Sequence, residues 1–406
     1  MQFTEIFYLI TSFIGVYLSM VWLIVYFKNR KTLLDSPKQN RMPPVTFLIP
    51  AYNEERHIAK CIKSLQNLDY PKGRLKIIVI NDGSTDKTAQ IAKNLGVRVI
   101  TKKNEGSKAA AMNYGLKFVK TELVACMDAD SFATSDYLKK AVRHFDRNDI
   151  GAVASTVKVD KVTTLVSKIQ WVEYLMSVVF RKLFALLDCQ FVVPGPGGIY
   201  RTKVLRKIGD FETDNLTEDM EMALRLQVNG YRMGNCMDAF VYTACPEDFG
   251  SLFKQRMRWY RGYLENFSKY SKMFLNPKFG NFGMFFFPST IIWIAVVIML
   301  FVVQVGSMVS DSIKSFIFWS LINYNIQLPN FGFDIFGIDS LFMALTIATV
   351  VGLTLSVIGI RTGGHDNVKG RKFFYVIYIL AYPILFALFW FCAFMLHVFK
   401  AKGKWR

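Results

Sequence analysis

The sequence predicts an α/β fold, a doubly wound and mostly parallel sheet set between helices that cross a membrane. Strand-like and helix-like segments alternate from Val45 to Met127, apolar runs of bilayer length flank that region, and several strands end in polar clusters at one edge.

Composition sets the bounds. Of 406 residues, 52% are hydrophobic and 15% aromatic, which points to membrane segments as well as a core. A formal net charge of +19 would favour nucleic acid in a soluble protein. Here the Lys and Arg are scattered among membrane-flanking segments, so an anionic lipid leaflet and a diphosphate ligand are the expected partners, and nucleic acid is not. The six cysteines, at 61, 126, 189, 236, 245 and 392, form no Cys-x-x-Cys pair, and the histidines at 57, 144, 365 and 397 are far apart. A zinc site or a disulfide framework is therefore not expected.

In chain order, residues 6–27 are apolar and uncharged for one crossing, and Lys28, Arg30 and Lys31 follow at once. Charge after the apolar run marks a retained anchor, with its amino end outside and the next domain in the cytoplasm. A polar linker with prolines spans residues 35–44. Strands are then expected at 45–49, 75–80, 97–100 and 123–127, and helices at 55–68, 86–95 (capped by Ser84 or Thr85) and 107–120. Residues 162–187 read as a long helix packed on the domain or lying along the membrane, because Lys168, Glu173, Arg181 and Lys182 argue against a full crossing. Residues 249–274 read as an interfacial amphipathic helix that docks the domain on the bilayer, with Gln255, Arg258 and Trp259 facing the site. Residues 283–308, 341–360 and 373–398 are each long enough to cross, whereas 313–322 is too short and is placed at the outer surface. The basic connection 361–372, with two adjacent glycines, is expected in the cytoplasm, either as a flap over bound ligand or as a simple hairpin connection between two spans. The span count puts the basic tail 400–406 outside, against the positive-inside rule.

Three strands end in polar signatures, at Tyr52-Asn53-Glu54, at Asp82-Gly83-Ser84 and at Asp128-Ala129-Asp130. The carboxyl edge of an open α/β sheet is where such folds bind nucleotides, so Tyr52 is placed to border a base and Asp82 to accept hydrogen bonds from it. Asp128 and Asp130 are hard oxygen ligands at alternate positions, which suits Mg²⁺ or Mn²⁺ carrying a phosphate. The plainer reading is a solvated acidic turn. Lys108, in the first turn of its helix, is placed to face a phosphate. No Gly-x-Gly-x-x-Gly follows the first strand and no P-loop motif occurs, which disfavours a dinucleotide oxidoreductase and a P-loop ATPase.

With Lys108 to Asn113, Thr217-Glu218-Asp219 and Gln255-Arg-Met-Arg258-Trp259, these motifs resemble, in order, the inverting family 2 glycosyltransferases. More narrowly they resemble the membrane-embedded branch that includes hyaluronan, chitin, cellulose and poly-N-acetylglucosamine synthases. The resemblance covers Val45 to about Tyr263 and implies a Rossmann-like, GT-A type domain that binds a nucleotide sugar. It implies that Glu54 and Asp82 hold the uridine part of a UDP-sugar, that Asp128 and Asp130 bind the diphosphate and its metal, and that Asp219 is the catalytic base. Gln255, Arg258 and Trp259 would bind diphosphate and line the acceptor site. Ser107 and the glycine-rich Pro194-Gly-Pro-Gly-Gly198 depart from the family pattern, which bears on the sugar more than on the reaction.

The chemistry agrees with the resemblance. Transfer from a sugar nucleotide needs the diphosphate neutralised and the acceptor hydroxyl relieved of its proton by a carboxylate. The expected organisation is an anchor (1–31), a cytoplasmic glycosyltransferase domain (43–247), the interfacial helix (248–282) and a transmembrane region of three spans (283–406). The expected function is a multi-pass enzyme of the cytoplasmic membrane that builds a β-linked polysaccharide from a UDP-sugar, with UDP-N-acetylglucosamine as leading donor and export as a corollary. Single transfer to a membrane lipid, as in ceramide glucosyltransferase-like enzymes, is the nearest alternative, and a transporter with a nucleotide-binding domain is the other.

Overall fold

The computed structural model describes residues 3–31, 33, 37–38, 41–321, 340–362, 368 and 370–399. An apolar helix, α1 (Phe3–Asn29), comes first. The α/β region follows with β1 (Val45–Ala51), α2 (Ile58–Gln66), β2 (Leu75–Asn81), α3 (Thr88–Asn94), β3 (Arg98–Thr101), α4 (Lys108–Leu116) and β4 (Leu123–Cys126). It continues with β5 (Phe132–Ala133), α5 (Tyr137–Ala141), β6 (Ile150–Val159), α6 (Leu165–Leu186), β7 (Gly198–Arg201), α7 (Thr202–Ile208), α8 (Glu218–Val228) and β8 (Arg232–Thr243). Then come α9 (Phe249–Lys269), α10 (Phe287–Leu321), α11 (Ser340–Thr362) and α12 (Arg371–Val398).

One sheet takes the strands in the order β3-β2-β1-β4-β7-β6-β8-β5. Its first half is parallel, as the alternation predicts, with β1 between β2 and β4 and β3 beyond β2. The second half is mixed, because β7 runs antiparallel to both β4 and β6, and β5 antiparallel to β8. The chain leaves β6 at the carboxyl edge, does not cross back over the sheet in α6, and re-enters through residues 194–197 from the same edge. That reversal lays a glycine-rich loop beside the end of β4.

The two-residue period of the strands builds two apolar layers. Phe47, Ile49 and Val79 point to the side covered by Ile58, Ile62 and Leu65 of α2. Leu48, Ile78 and Ile80 point to the side covered by Ala109, Met112 and Leu116 of α4.

Three expectations change. Helix α3 starts at Thr88, and neither Ser84 nor Thr85 caps it, because both are drawn into the loop after β1. Asp86 Oδ1 instead accepts from the Thr88 N–H (2.9 Å) and hydroxyl (2.5 Å). The separate outer segment at 313–322 does not exist as such through Leu321. Residues 307–321 contain neither Gly nor Pro, an Asp311–Lys314 pair at 3.4 Å spans one turn, and α10 runs unbroken for 35 residues. Among the described residues three helices are long and apolar enough to cross a membrane, Glu5–Asn29, Phe282–Phe318 and Arg371–Val398. The expected fourth crossing, 341–360, lies inside α11, which runs for 23 residues from Ser340 to Thr362. Finally, α9 is not laid on an open surface. Leu252 and Met257 pack on Phe389 and Ala393 of α12, and Tyr263 and Phe267 pack with Met220 and Leu224 of α8. Of the expected flap, residues 363–367 and 369 lie outside the described residues, as does the tail 400–406.

Helix α6 opens with a capping box between Thr164 and Ser167. It wedges between the sheet and the apolar helices, with Val178, Val179 and Leu183 against Trp22 and Val25 of α1, and Trp171 and Leu175 among Tyr375 and Tyr378 of α12.

Candidate active site

Strand ends and two helix starts meet at the carboxyl edge. After β1 the chain turns through Asn53, whose φ of 56° is left-handed, a conformation that Asn adopts more readily than other non-glycine residues. Its N–H donates to Ser84 Oγ (3.0 Å) and its Oδ1 accepts from the Thr85 N–H (2.9 Å), while the Glu54 N–H donates to Thr88 Oγ1 (2.8 Å). The loops after β1 and β2 are thus sewn together, and Tyr52, Glu54 and Asp82 hang from the seam. Glu54 Oε2 sits 3.0 Å from His57 Nδ1.

These residues line an open cleft of about 270 Å³ together with Lys108, Asp128, Asp130 and Arg258. Seven of the residues singled out from sequence therefore share one cavity. Asp219, Gln255 and Trp259 do not line it. Asp219 is close behind, in the first turn of α8, where its charge reaches Lys108 and its Oδ1 accepts from the Met220 N–H (2.8 Å). Gln255 and Trp259 turn to Arg256 instead: Gln255 Oε1 accepts from Arg256 Nη1 (2.8 Å), and the guanidinium lies 4.3 Å from the Trp259 ring centroid. Arg256 is fully buried and donates to Glu173 Oε2 of α6 at 2.5 Å. The helix start that holds Asp219 is not capped by the Thr217 side chain, whose hydroxyl accepts from Asn266 Nδ2 of α9 at 2.9 Å.

The electrostatics are those of a site for an anion and a cation together. Lys108 Nζ contacts the Asp128 carboxylate directly and lies 3.8 Å from Glu218 Oε1. Burial alone would lower its pKa, but the charges of Asp128 and Glu218 outweigh that and hold it above the ordinary lysine value. Burial, then the charge of Asp128, pushes Asp130 up to about 6 even though Ser131 Oγ donates to it at 3.0 Å. Glu218, also buried, is raised chiefly by desolvation. Two hard carboxylates crowded enough to lift a pKa are a donor pair that a divalent ion would relieve. Among the described residues no group of three or more His, Cys, Asp or Glu forms a complete cage. The residues fit Mg²⁺ or Mn²⁺ shared with phosphate oxygens and water, and do not fit a self-sufficient metal site.

Two contributors escaped the sequence reading. Lys102 Nζ donates to Asp82 Oδ1 at 3.0 Å and reaches Glu105 Oε1 at 3.1 Å. Its place follows from the sheet: β3 is a further parallel strand whose end, in register with Asn81, puts the next residue beside Asp82. Gly195, seen from sequence only as part of a glycine-rich loop, is the other: a Cβ there would lie 2.6 Å from Lys108 Nζ, so a larger residue would push the lysine tip away from Asp128.

Residues 43–262 match the family described as glycosyltransferase like family 2. Poly-beta-1,6-N-acetyl-D-glucosamine synthases of Staphylococcus epidermidis (strain RP62A) and Staphylococcus aureus (strain COL) are each 29% identical over 265 residues, which is 62% of this chain and 64% of theirs. The chain thus spans just under two thirds of the length of those curated relatives. A mannosyltransferase from Pyrobaculum calidifontis, solved with GDP-Man and Mn²⁺, shares the fold at a TM-score of 0.60 and 17% identity, covering 97% of this chain and 100% of its own. Every residue of the cleft, from Pro50 to Arg258, falls inside the family match, and on that ground the chain belongs to the glycosyltransferase like family 2.

Proposed function

We propose that this chain is a membrane-bound inverting glycosyltransferase that moves a sugar from a UDP-sugar, UDP-N-acetylglucosamine, onto a growing β-linked polysaccharide. The observation that carries the reading is the cleft itself, where Asp82, Asp128, Asp130, Lys108 and Arg258 converge with the α8 carboxylates behind them. The donor follows from the staphylococcal relatives, whose names specify a poly-N-acetylglucosamine product. The metal reading, Mg²⁺ or Mn²⁺ held by Asp128 and Asp130, draws support from the donor pair and from the archaeal mannosyltransferase solved with Mn²⁺. When bound, such an ion supplies positive charge to the leaving diphosphate.

The protein's own groups do the rest. Glu54 and Asp82 accept hydrogen bonds from the nucleoside, with Tyr52 at its border. Lys108 and Arg258 neutralise the diphosphate as the bond from the sugar C1 to phosphate oxygen breaks. Asp219 takes the proton of the acceptor hydroxyl while that oxygen forms its bond to C1 from the opposite face, which inverts the anomeric centre. Gln255 and Trp259 act from the acceptor side, through Arg256. The apolar helices hold the enzyme in the cytoplasmic membrane as a multi-pass protein, with Lys28, Arg30 and Lys31 keeping the transferase domain in the cytoplasm and the polymer leaving between the helices.

The test is to incubate the purified full chain with radiolabelled UDP-N-acetylglucosamine and Mn²⁺ or Mg²⁺ and to size the product. A ladder supports polymer synthesis, one lipid-soluble band replaces it with single transfer to a lipid, and no transfer from any UDP-sugar refutes the reading.

A further inference from the structure

At the far edge of the cleft a lysine acts on the site without reaching it. Asn81 and Thr101 are in register between β2 and β3, and the ladder runs one residue further: the Lys102 N–H donates to Asn81 O (3.0 Å), and the Asp82 N–H donates to Ala51 O (2.9 Å). Both backbones are thereby fixed. The two side chains meet with only 7% and 9% of their surface exposed, Lys102 Nζ lying 3.0 Å from Asp82 Oδ1. An ammonium has three N–H donors, and all three are taken here, by Asp82 Oδ1, by Lys103 O (2.6 Å) and by Glu105 Oε1 (3.1 Å). Asp82 lines the cleft and Lys102 does not. Among the described residues the second Asp82 oxygen, Oδ2, accepts from no protein group, so it is the one left for a ligand. The loop that carries Glu105 closes over the same strand end. A Cβ on Gly83, whose φ is 74°, would lie 3.1 Å from the Asn104 N, and Asn104 and Gly106 line the cleft with Asp82.

We propose that Lys102 makes the site select uracil, as a positioning residue that pins Asp82 Oδ1 and so presents Oδ2 to the cleft as an acceptor and nothing else. The inference rests on the reading of Asp82 as the carboxylate that binds the nucleoside. Uracil carries a donor, N3–H, on the edge where cytosine carries a bare acceptor nitrogen. The two bases have the same size and ring face, so the Tyr52 ring at their border does not tell them apart. A carboxylate only accepts: it bonds uracil N3–H, and against cytosine it sets lone pair to lone pair, a mismatch that burial makes costly. Cytosine would be taken only if the carboxyl turned away or offered it a donor. Lys102 holds the carboxylate against turning through a charge-assisted hydrogen bond and gives its charge a partner in a dry place.

The full chain in detergent, with Mn²⁺, is titrated calorimetrically with UDP and with CDP. The readout is the ratio of the two dissociation constants on one preparation, from which any loss of folded protein cancels. The wild-type chain is expected to prefer UDP by at least about 10²-fold. Lys102→Met, close in length and without charge, should cut that preference about 10- to 100-fold, the worth of a hydrogen bond to a charged group, chiefly by weakening UDP. Lys102→Gln keeps a neutral donor, which makes a bond about half as strong, so it should lose a smaller part of the preference; its ratio decides the matter if the methionine variant does not fold. The wild-type ratio in the methionine variant, or in the glutamine variant standing in for it, overturns the proposal. So does an equal loss of UDP and CDP affinity, which is what a merely structural lysine would give, and so does a wild-type chain without preference. Asp82→Asn separates the two layers, because an amide donates as well as accepts and should bind the two nucleotides nearly alike. If that variant keeps the wild-type ratio, the nucleoside reading of Asp82 fails and takes the role of Lys102 with it. If it loses the ratio while Lys102→Met keeps it, the reading of Asp82 stands and the proposal alone fails.

Discussion

Replacing Gly262 with alanine tests whether the site depends on how closely α9 approaches α8. A Cβ on Gly262 would lie 2.4 Å from Thr217 Oγ1, 2.6 Å from its Cγ2 and 3.0 Å from its Cβ, so the two helices must part by about 1 Å to restore ordinary contact. Thr217 cannot swing aside freely. Its N–H donates to Asn215 Oδ1 (3.0 Å), its hydroxyl accepts from Asn266 Nδ2 (2.9 Å), and Asn215 Nδ2 donates to Asn266 Oδ1 (2.7 Å). Overpacking of this kind costs about 1–3 kcal/mol, and the better helix propensity of alanine returns about 1 kcal/mol, so the net loss of stability is about 0–2 kcal/mol. The effect on rate is larger. Thr217 immediately precedes Glu218 and Asp219, and the opposing helix carries Arg258, so a 1 Å parting displaces Asp219 from Arg258 and, on the proposed roles of the two, lowers turnover on the order of 10²-fold. UDP release in a coupled assay, with a melting curve beside it, measures both. Thr217→Ala in the Gly262→Ala background removes the two closest atoms and should recover part of the rate. Gly262→Ala with wild-type turnover would refute the claim that this contact sets the site.

Three other perturbations probe different parts of the site. Asp219→Asn keeps the size and the acceptor to the Met220 N–H but loses basicity, so transfer should fall by at least about 10²-fold while the melting temperature and UDP affinity stay put; near-normal transfer would pass the role to Glu218. With Asp130 pushed up to about 6, Mn²⁺ must displace a proton at lower pH, so its affinity should fall about tenfold per unit below that point, and Asp130→Asn should abolish the slope, as calorimetry across pH would show. The sign for stability is opposite: without metal this carboxyl favours the fold in its protonated form, fully below its ordinary 3.8, and the contribution is lost as pH rises through about 6. Glu173→Ala leaves the Arg256 charge buried without its carboxylate and should cost about 3–5 kcal/mol, read by denaturant melts; a loss below 1 kcal/mol would mean that Gln255 and the Trp259 ring suffice.

What could be read from the chain follows the physics of each element. β1, β2 and β4 are apolar runs buried on both faces, and such runs announce themselves. β6 and β8 were not legible, because Ile150–Val159 is rich in small residues and Arg232–Thr243 carries Arg, Asn and Asp, and it is their place in the sheet, above all their long pairing with each other, that makes them strands. The acidic pair after β4 was visible because two carboxylates at alternate positions sit at a strand end. Lys102 was not singled out, since its meaning depends on a register between β2 and β3 that becomes definite only in the sheet. The face of α9 misled in part: Gln255, Arg258 and Trp259 share a helical spacing, but the buried Glu173–Arg256 pair captures two of them and leaves Arg258 to the cleft.

The wedge formed by α6 has a mechanical consequence. Apolar contacts join it to α1, α11 and α12, and it also lies on β6 and β8, whereas the clusters that hold it include no residue of β1, β2, β3 or β4. Because β6 and β8 share the two apolar layers of the sheet with β1, β2 and β4, a displacement of α6 reaches that part of the domain only at second hand, after it has moved Glu173 and its partner Arg256. A thinner bilayer or a harsher detergent that shifts those helices should disturb the handling of the acceptor well before it weakens the hold on UDP.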